Sequence, residues 1–295
     1  MRLEFTINHD EHGKMAHEIL SGRMKMSRLM IKKVRLYGKL LVNGESARMK
    51  DPVSSGDHVE ALYEDEKKQA VVRPDCGISI MYEDDWLIVC EKPAGLVTHP
   101  SWQHMDDSLI QRLSEQRLHP VMRLDRETSG LIVIAKNGFA HHVISSDSMS
   151  KEYLGIVHGT FEEPDGTIEL PIGRVDDSIM IRAVREDGHP SVTHYHTEKY
   201  FPGNDISLVR FVLKTGRCHQ IRVHARHLGH PLVGDGLYGP SSCDYPVPDM
   251  PSIRMDHCIE RQALHACSLG FYHPITHELL HFESEIPQDM KNLLM

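Results

Sequence analysis

Apolar positions along the chain fall into two kinds of pattern. Near the start, SRLMIKKVRLYG sets Met30, Ile31 and Val34 on one side of a helix. Arg28, Lys32 and Arg35, at i, i+4 and i+7, share another side, and Gly38 is the stop. KLLVNGESAR then reads as a strand, an Asn43–Gly44 turn and a second extended piece. SSGDHVEAL adds a turn at Gly56–Asp57 and a closing strand. From about residue 78 the pattern changes to short runs rich in Val, Ile, Leu and Tyr. DWLIVCEK, GLIVIAKN, YLGIVHG and ISLVRFVLK are examples, bounded by Gly, Pro or Asp. Helical stretches such as DDSLIQRLSEQ separate only some of these runs. Many neighbours are too close for a helical crossover, so a large mixed, mostly antiparallel sheet is predicted. EDEKKQAVVRPDCG, 64–77, has no period and carries Pro74 and Gly77. The predicted division is a small N-terminal α/β unit over 1–68, a linker over 69–77 and a large domain over 78–295. The chain is therefore expected to be α+β.

A length of 295 residues suits one large or two unequal domains, and 40% apolar residues suffice for a sizeable core. The apolar runs are too short to span a bilayer, so no membrane partner is expected. The opening MRLEFTINHDEHG lacks the basic start and apolar stretch of a secretory signal. The six cysteines (Cys76, Cys90, Cys218, Cys243, Cys258, Cys267) contain no C-x-x-C pair. Reduced thiols and a cytoplasmic location are expected.

Net charge of -9 argues at first against a nucleic-acid partner, but its distribution reverses the argument. Residues 14–50 hold ten basic and two acidic side chains, a balance of +8; the rest, with 23 basic and 40 acidic, carries -17. A polyanion responds to the local patch rather than the mean. Arg28, Lys32 and Arg35 are the candidate RNA-binding patch. A solvated charged helix on any small domain would look the same.

Three segments carry candidate chemistry. HPVMRLDRETSGLIVIAKN, 119–137, packs Arg123, Asp125, Arg126 and Glu127 into a turn before a strand. Two guanidiniums stabilise charge on a carboxylate between them, and a turn at the mouth of a sheet is a usual place for chemistry. An acid that only caps a turn has the same local signature. LKTGRCHQIRVHARHLGHPLVGDGLYG, 213–239, gathers Arg217, Arg222 and Arg226, any of which could pair bidentately with a carboxylate or phosphate. SKEYLGIVHG, 150–159, opens a strand with Tyr153, either a base-stacking aromatic or a core tyrosine.

RLDRETSG closely resembles the signature of the RluA/RluC/RluD-type pseudouridine synthases. EKPAGLVTHP (91–100), SKEYLGIVHG, TGRCHQIRVHARHLGHPLVGD and RQALHACSLGFYHP (261–274) resemble further motifs of that family, in the family's order. Ordered motifs spread over some two hundred residues are far more specific than one pattern match. The N-terminal unit resembles the small RNA-binding domain shared with a ribosomal small-subunit protein. Two positions depart from the family pattern: Met122 stands where His is usual, and Cys218 where Thr is usual.

The resemblance implies the pseudouridine synthase fold and the isomerisation of specific uridines in structured RNA. Large-subunit ribosomal RNA is favoured, with transfer RNA as the second choice. It implies Asp125 as the catalytic aspartate and Arg222 as the basic residue that pairs with it. It implies Tyr153 as the residue that stacks on the target uracil and Arg126 as an arginine that helps displace the flipped nucleotide. Arg123 is grouped with these as substrate-binding. The reaction moves a ribose bond from uracil nitrogen 1 to carbon 5. Nothing enters or leaves, so no cofactor or metal is expected, and no obligate protein partner is implied.

Two rival readings start from other residues. His219, His224, His227 and His230 crowd one region, which raises a metal-dependent hydrolase, but no H-E-x-x-H ligand set is present. An RNA-binding assembly factor with a retired catalytic domain draws on the N-terminal unit, Met122 and Cys218. GDGLYG, 234–239, matches G-x-G-x-x-G but is followed by Pro240, so it reads as a turn and not a dinucleotide fingerprint.

Overall fold

The computed structural model describes residues 2–63, 73–101, 104–176, 178–240, 242 and 253–295. The first four strands are β1 (Arg2–Thr6), β2 (Lys39–Val42), β3 (Glu45–Ser46) and β4 (His58–Leu62), joined in the order β1-β4-β2-β3. Two helices cover them, α1 (Ala16–Ser21) and α2 (Arg28–Tyr37). The α2 helix begins where the Ser27 side chain accepts the Met30 N–H, and it ends at Gly38, as expected. Val34 is buried, with Met30 and Ile31 packed beside it, while Arg28, Lys32 and Arg35 are exposed. The Asn43–Gly44 turn closes β2 onto β3, both residues taking the positive φ that a tight hairpin needs.

After β4, residues 64–72 lie outside the described residues, and with them the first part of the expected linker. Arg73 N–H already bonds the Leu113 carbonyl at 2.8 Å. Twelve more strands and four helices follow: β5 (Ser79–Glu83), β6 (Leu87–Lys92), α3 (Leu109–Leu113), β7 (His119–Pro120), β8 (Ser129–Ala135), α4 (Gly138–Ser146), β9 (Ser150–His158), β10 (Asp165–Glu169), β11 (Ile172–Arg174), β12 (Arg182–Val184), β13 (Val192–Phe201), β14 (Ile206–Leu213), α5 (Gln220–His227), β15 (Leu264–Tyr272), β16 (Leu279–Glu283) and α6 (Gln288–Leu293). Ten of these strands form one sheet whose main path is β10-β13-β14-β9-β15-β8-β6-β5, with β16 on β15 and β7 on β8. Only the β8–β15 pair is parallel among the described residues, so the sheet is mixed and mostly antiparallel. The chain is α+β.

The central strands are apolar on both faces because both faces are covered. In β8, Ile132 and Ile134 join Leu109 and Leu113 of α3 and Ile221 and Ala225 of α5. Leu131 and Val133, pointing the other way, pack with Ile144 of α4 and with Leu269 and Phe271 of β15. Each such aliphatic side chain contributes about 1.5–3 kcal/mol on burial. Phe139 and Val143 of α4 join the core formed by Leu3, Phe5 and Val34, and Lys25 pairs with Asp147 beyond the same helix. The small sheet thus packs on the outer side of α4.

One glycine decides where the large sheet can form its parallel pair. Gly130, at φ +111°, lies so close to β15 that a Cβ would sit 2.3 Å from the Ala266 carbonyl oxygen. Only a residue without a side chain lets β8 meet β15 there. That junction fixes the start of β8 and the loop that enters it. No described helix is long and apolar enough to cross a membrane.

Candidate active site

The loop entering β8 carries Asp125, and three side chains from two distant segments hold its backbone. Thr98 hydrogen bonds both ways with Leu124, its hydroxyl donating to the carbonyl at 3.1 Å and accepting the N–H at 3.3 Å. Lys92 donates to the carbonyls of Arg126 (2.9 Å), Pro93 (2.8 Å) and Leu96 (2.7 Å). Arg261 donates to the Glu127 carbonyl at 3.1 Å and is anchored on Asp289. Backbone on either side of Asp125 is therefore tied down, and its carboxylate is half-buried. The motifs at 91–100 and 261–274 meet here because they supply those ties.

Asp125 Oδ2 accepts Arg222 Nη1 at 3.0 Å. Arg222 comes from the middle of α5 and is 4% exposed. The other edge of its guanidinium bonds both oxygens of Asp235, Nε and Nη2 each at 2.7 Å. Its plane also lies over the Tyr238 ring, 4.9 Å from the centroid. Burial works against the Arg222 charge, but the bonds and charge of Asp235, with Asp125 added, outweigh it and push its pKa up. The result is a fixed cation bridging one buried and one accessible carboxylate.

Lys92 shows the opposite balance. Burial drives its pKa down to about 7, against the opposing pull of Glu127 and Asp125. At neutral pH its charge is marginal, and its position rests on the three carbonyls it contacts.

Tyr153 lies on β9 between Phe211 of β14 and Ala266 of β15 and is part of the main core cluster. Burial first, then the nearby Asp125 charge, push its phenol well above the ordinary tyrosine value. Tyr153 is thus a packed core residue whose phenol lies within the field of the Asp125 charge. Arg123 and Arg126 are exposed. Arg126 pairs with Glu127 at 2.6 Å and contacts His104 at 3.3 Å. Neither pairs with Asp125 among the described residues, contrary to the expected tight cluster. The hydrogen-bonded partner of Asp125 comes instead from α5.

The sequence reading missed Asp235, which lies in the GDGLYG turn. Its side chain has no exposed surface and also accepts the N–H groups of Leu237 and Tyr238, each at 3.0 Å. A buried arginine with one accessible carboxylate partner requires a second, and that requirement was the available signal. Lys92, Thr98 and Arg261 were missed too, since each acts on backbone far away in sequence. Three of the four crowded histidines have separate partners: His224 on Thr193 and the Leu170 carbonyl, His230 on the His158 carbonyl, His219 on Tyr238. No group of three or more His, Cys, Asp or Glu suited to a metal occurs among the described residues. Met122 is half-buried between the two central core clusters, and Cys218 is exposed beside His219.

Chemically, this is an acid on a loop whose backbone is tied down on both sides, held by a buried cation, with two exposed arginines on the same loop. Residues 86–227 match the family described as RNA pseudouridylate synthase. An uncharacterised RNA pseudouridine synthase of Bacillus subtilis (strain 168), YjbO, is 34% identical over 288 residues, covering 93% of this chain and 96% of its own. Ribosomal large subunit pseudouridine synthase D of Pseudomonas aeruginosa is 37% identical over 269 residues, covering 87% and 83%. Among solved structures, human RNA pseudouridylate synthase domain containing 1 superposes with a TM-score of 0.57 at 25% identity, over 71% of this chain and 83% of that one.

Proposed function

The chain belongs to the RNA pseudouridylate synthase family, and from that premise we propose that it converts specific uridines of structured RNA to pseudouridine, with Asp125 as the reacting carboxylate. Large-subunit ribosomal RNA is the favoured substrate, after the relatives named for it, and the cytoplasm the compartment. The observation that carries the reading is the Arg222–Asp125 pair, 3.0 Å long, with Arg222 itself held by Asp235.

Breaking the glycosidic bond builds positive character on the sugar and negative charge on the uracil. A carboxylate under carbon 1′ answers that charge, whether it attacks the carbon or takes a ribose proton. Arg222 keeps Asp125 aimed. Because Asp235 takes two of its three bonding nitrogens, Arg222 holds Asp125 by one bond, on Oδ2, and among the described residues Oδ1 is left to react. Isomerisation conserves atoms and electrons, so the chemistry calls for no redox or group-transfer partner.

The target base must leave its stack, which costs a few kcal/mol. Stacking on Tyr153, worth about 1–3 kcal/mol for a base on an aromatic ring, offsets part of this. Arg126 helps displace the nucleotide, and Arg123 contacts the substrate at the same mouth. Residues 1–68 act as an RNA-binding domain through Arg28, Lys32 and Arg35, and 78–295 as the catalytic domain. Pseudouridine maps of ribosomal and transfer RNA from cells with and without the gene test the assignment. Loss of one or a few sites is expected, and identical maps would refute it.

A further inference from the structure

His219 is held in an unusual way. It takes the left-handed conformation, φ 57° and ψ 21°, at the N-terminal cap of α5, yet its side chain caps nothing. Left-handed backbone in a residue other than glycine is uncommon and clusters at functional sites. Here it turns the imidazole back over the site. Nδ1 lies 2.8 Å from the Tyr238 hydroxyl, and Nε2 lies 3.8 Å from Asp125 Oδ2.

The Tyr238 hydroxyl decides which nitrogen carries the proton. It accepts the Arg182 backbone N–H at 2.9 Å, and its other hydrogen-bond partner among the described residues is His219 Nδ1. Tyr238 is buried, so its own proton must go to that partner. Nδ1 is then an acceptor, and the ring proton sits on Nε2, facing Asp125.

Resting on the reading of Asp125 as the reacting carboxylate, we infer that His219 is a positioning residue: locked as the neutral Nε2–H tautomer by Tyr238, it closes onto Asp125 Oδ2 when the sugar enters. The 3.8 Å gap is longer than a hydrogen bond, as such contacts often are before substrate binds. With Arg222 and His219 both on Oδ2, Oδ1 is the oxygen presented to ribose. Burial of the imidazole, aided by Arg222 and Arg182 and opposed by Asp125 and Asp235, lowers its pKa and keeps it neutral. The groups facing it are Asp125 from the loop before β8, Arg222 of α5, Asp235 and Tyr238 of the 234–239 turn, Arg182 of β12 and neighbouring Cys218.

The tautomer is read directly from imidazole nitrogen-15 shifts of the full-length protein at neutral pH, with His219→Asn identifying the signal. A proton on Nε2 is expected; one on Nδ1 overturns the inference. Asn tolerates the left-handed backbone and can still accept from Tyr238, but it cannot reach Asp125. His219→Asn should lower kcat about tenfold, the scale of one hydrogen bond to a charged group, with KM for RNA unchanged. His219→Gln, whose amide can donate at the distance of Nε2, should recover most of that loss. Tyr238→Phe removes the donor to Nδ1, so the imidazole protonates more readily and the acid limb of kcat moves to higher pH. Equal losses in the Asn and Gln variants, or an unmoved limb in Tyr238→Phe, overturn the positioning role. An Asp125→Asn control separates the two readings: if it still makes product, the reacting carboxylate is misassigned. If it is inactive while the His219 and Tyr238 variants behave as wild type, only this inference falls.

Discussion

Asp235→Asn removes one charge from the deepest point of the site without changing the size of the side chain. In the native protein this carboxylate accepts two bonds from Arg222, both 2.7 Å, and two from backbone N–H groups, both 3.0 Å. An amide in its place accepts at the oxygen only, and its NH2 turns donors toward a guanidinium that has nothing but donors. Removing one partner of a buried ion pair costs about 3–5 kcal/mol. Asp125 still holds Nη1, so a loss toward the lower end, about 3 kcal/mol, is expected. That is a large part of the roughly 5–15 kcal/mol that stabilises a folded protein. The freed edge of Arg222 is then drawn to Asp125, which blunts the reacting oxygen. The single-turnover rate at saturating RNA should fall by about tenfold or more, equivalent to about 1.4 kcal/mol of barrier. Urea denaturation followed by circular dichroism gives the first quantity and rapid-quench assay of pseudouridine the second. A variant with the wild-type midpoint and the wild-type rate would refute the claim that Asp235 holds Arg222 off Asp125.

Other substitutions test the remaining links. Gly130→Ala forces a Cβ to within 2.3 Å of the Ala266 oxygen at a positive φ, so it should cost about 3 kcal/mol or more in denaturation, or abolish soluble expression. Wild-type yield and midpoint would contradict the close β8–β15 approach. Lys92 releases its proton at about pH 7 when folded but near pH 10 when unfolded. The unfolded chain holds more protons across that window, so wild type should gain stability relative to Lys92→Met as pH rises through it. A difference that does not change with pH would count against a buried ammonium. Replacing Arg28, Lys32 and Arg35 together with Gln should raise KM for RNA, leave kcat alone and flatten the salt dependence of binding by up to about three phosphate contacts. An unchanged salt slope would move the RNA path elsewhere.

Local pattern made some of this legible. The α2 helix, its stop at Gly38 and the Asn43–Gly44 turn depend on residues within one or two turns of each other. The buried strands showed as short apolar runs, since β8 and β6 are covered on both faces. The pairing of Asp125 with Arg222 spans 97 residues, and it was readable only through resemblance to a family. Asp235 went unnoticed because its local signature is that of a turn. The turn reading holds, but the burial of the carboxylate depends on an arginine on another element. Lys92 looks like any surface lysine beside a glutamate until β6, the 93–96 loop and the Asp125 loop close around it. Period and spacing report neighbours along the chain, and such contacts form only when the sheet brings distant loops together.

The central claim is that one carboxylate does the chemistry while other groups bind the RNA. The most direct test compares wild type with Asp125→Asn on the same unmodified large-subunit RNA, measuring dissociation constant and pseudouridine formed per enzyme. The account predicts similar affinity and no detectable product from the variant. Product at anything near the wild-type rate would contradict it.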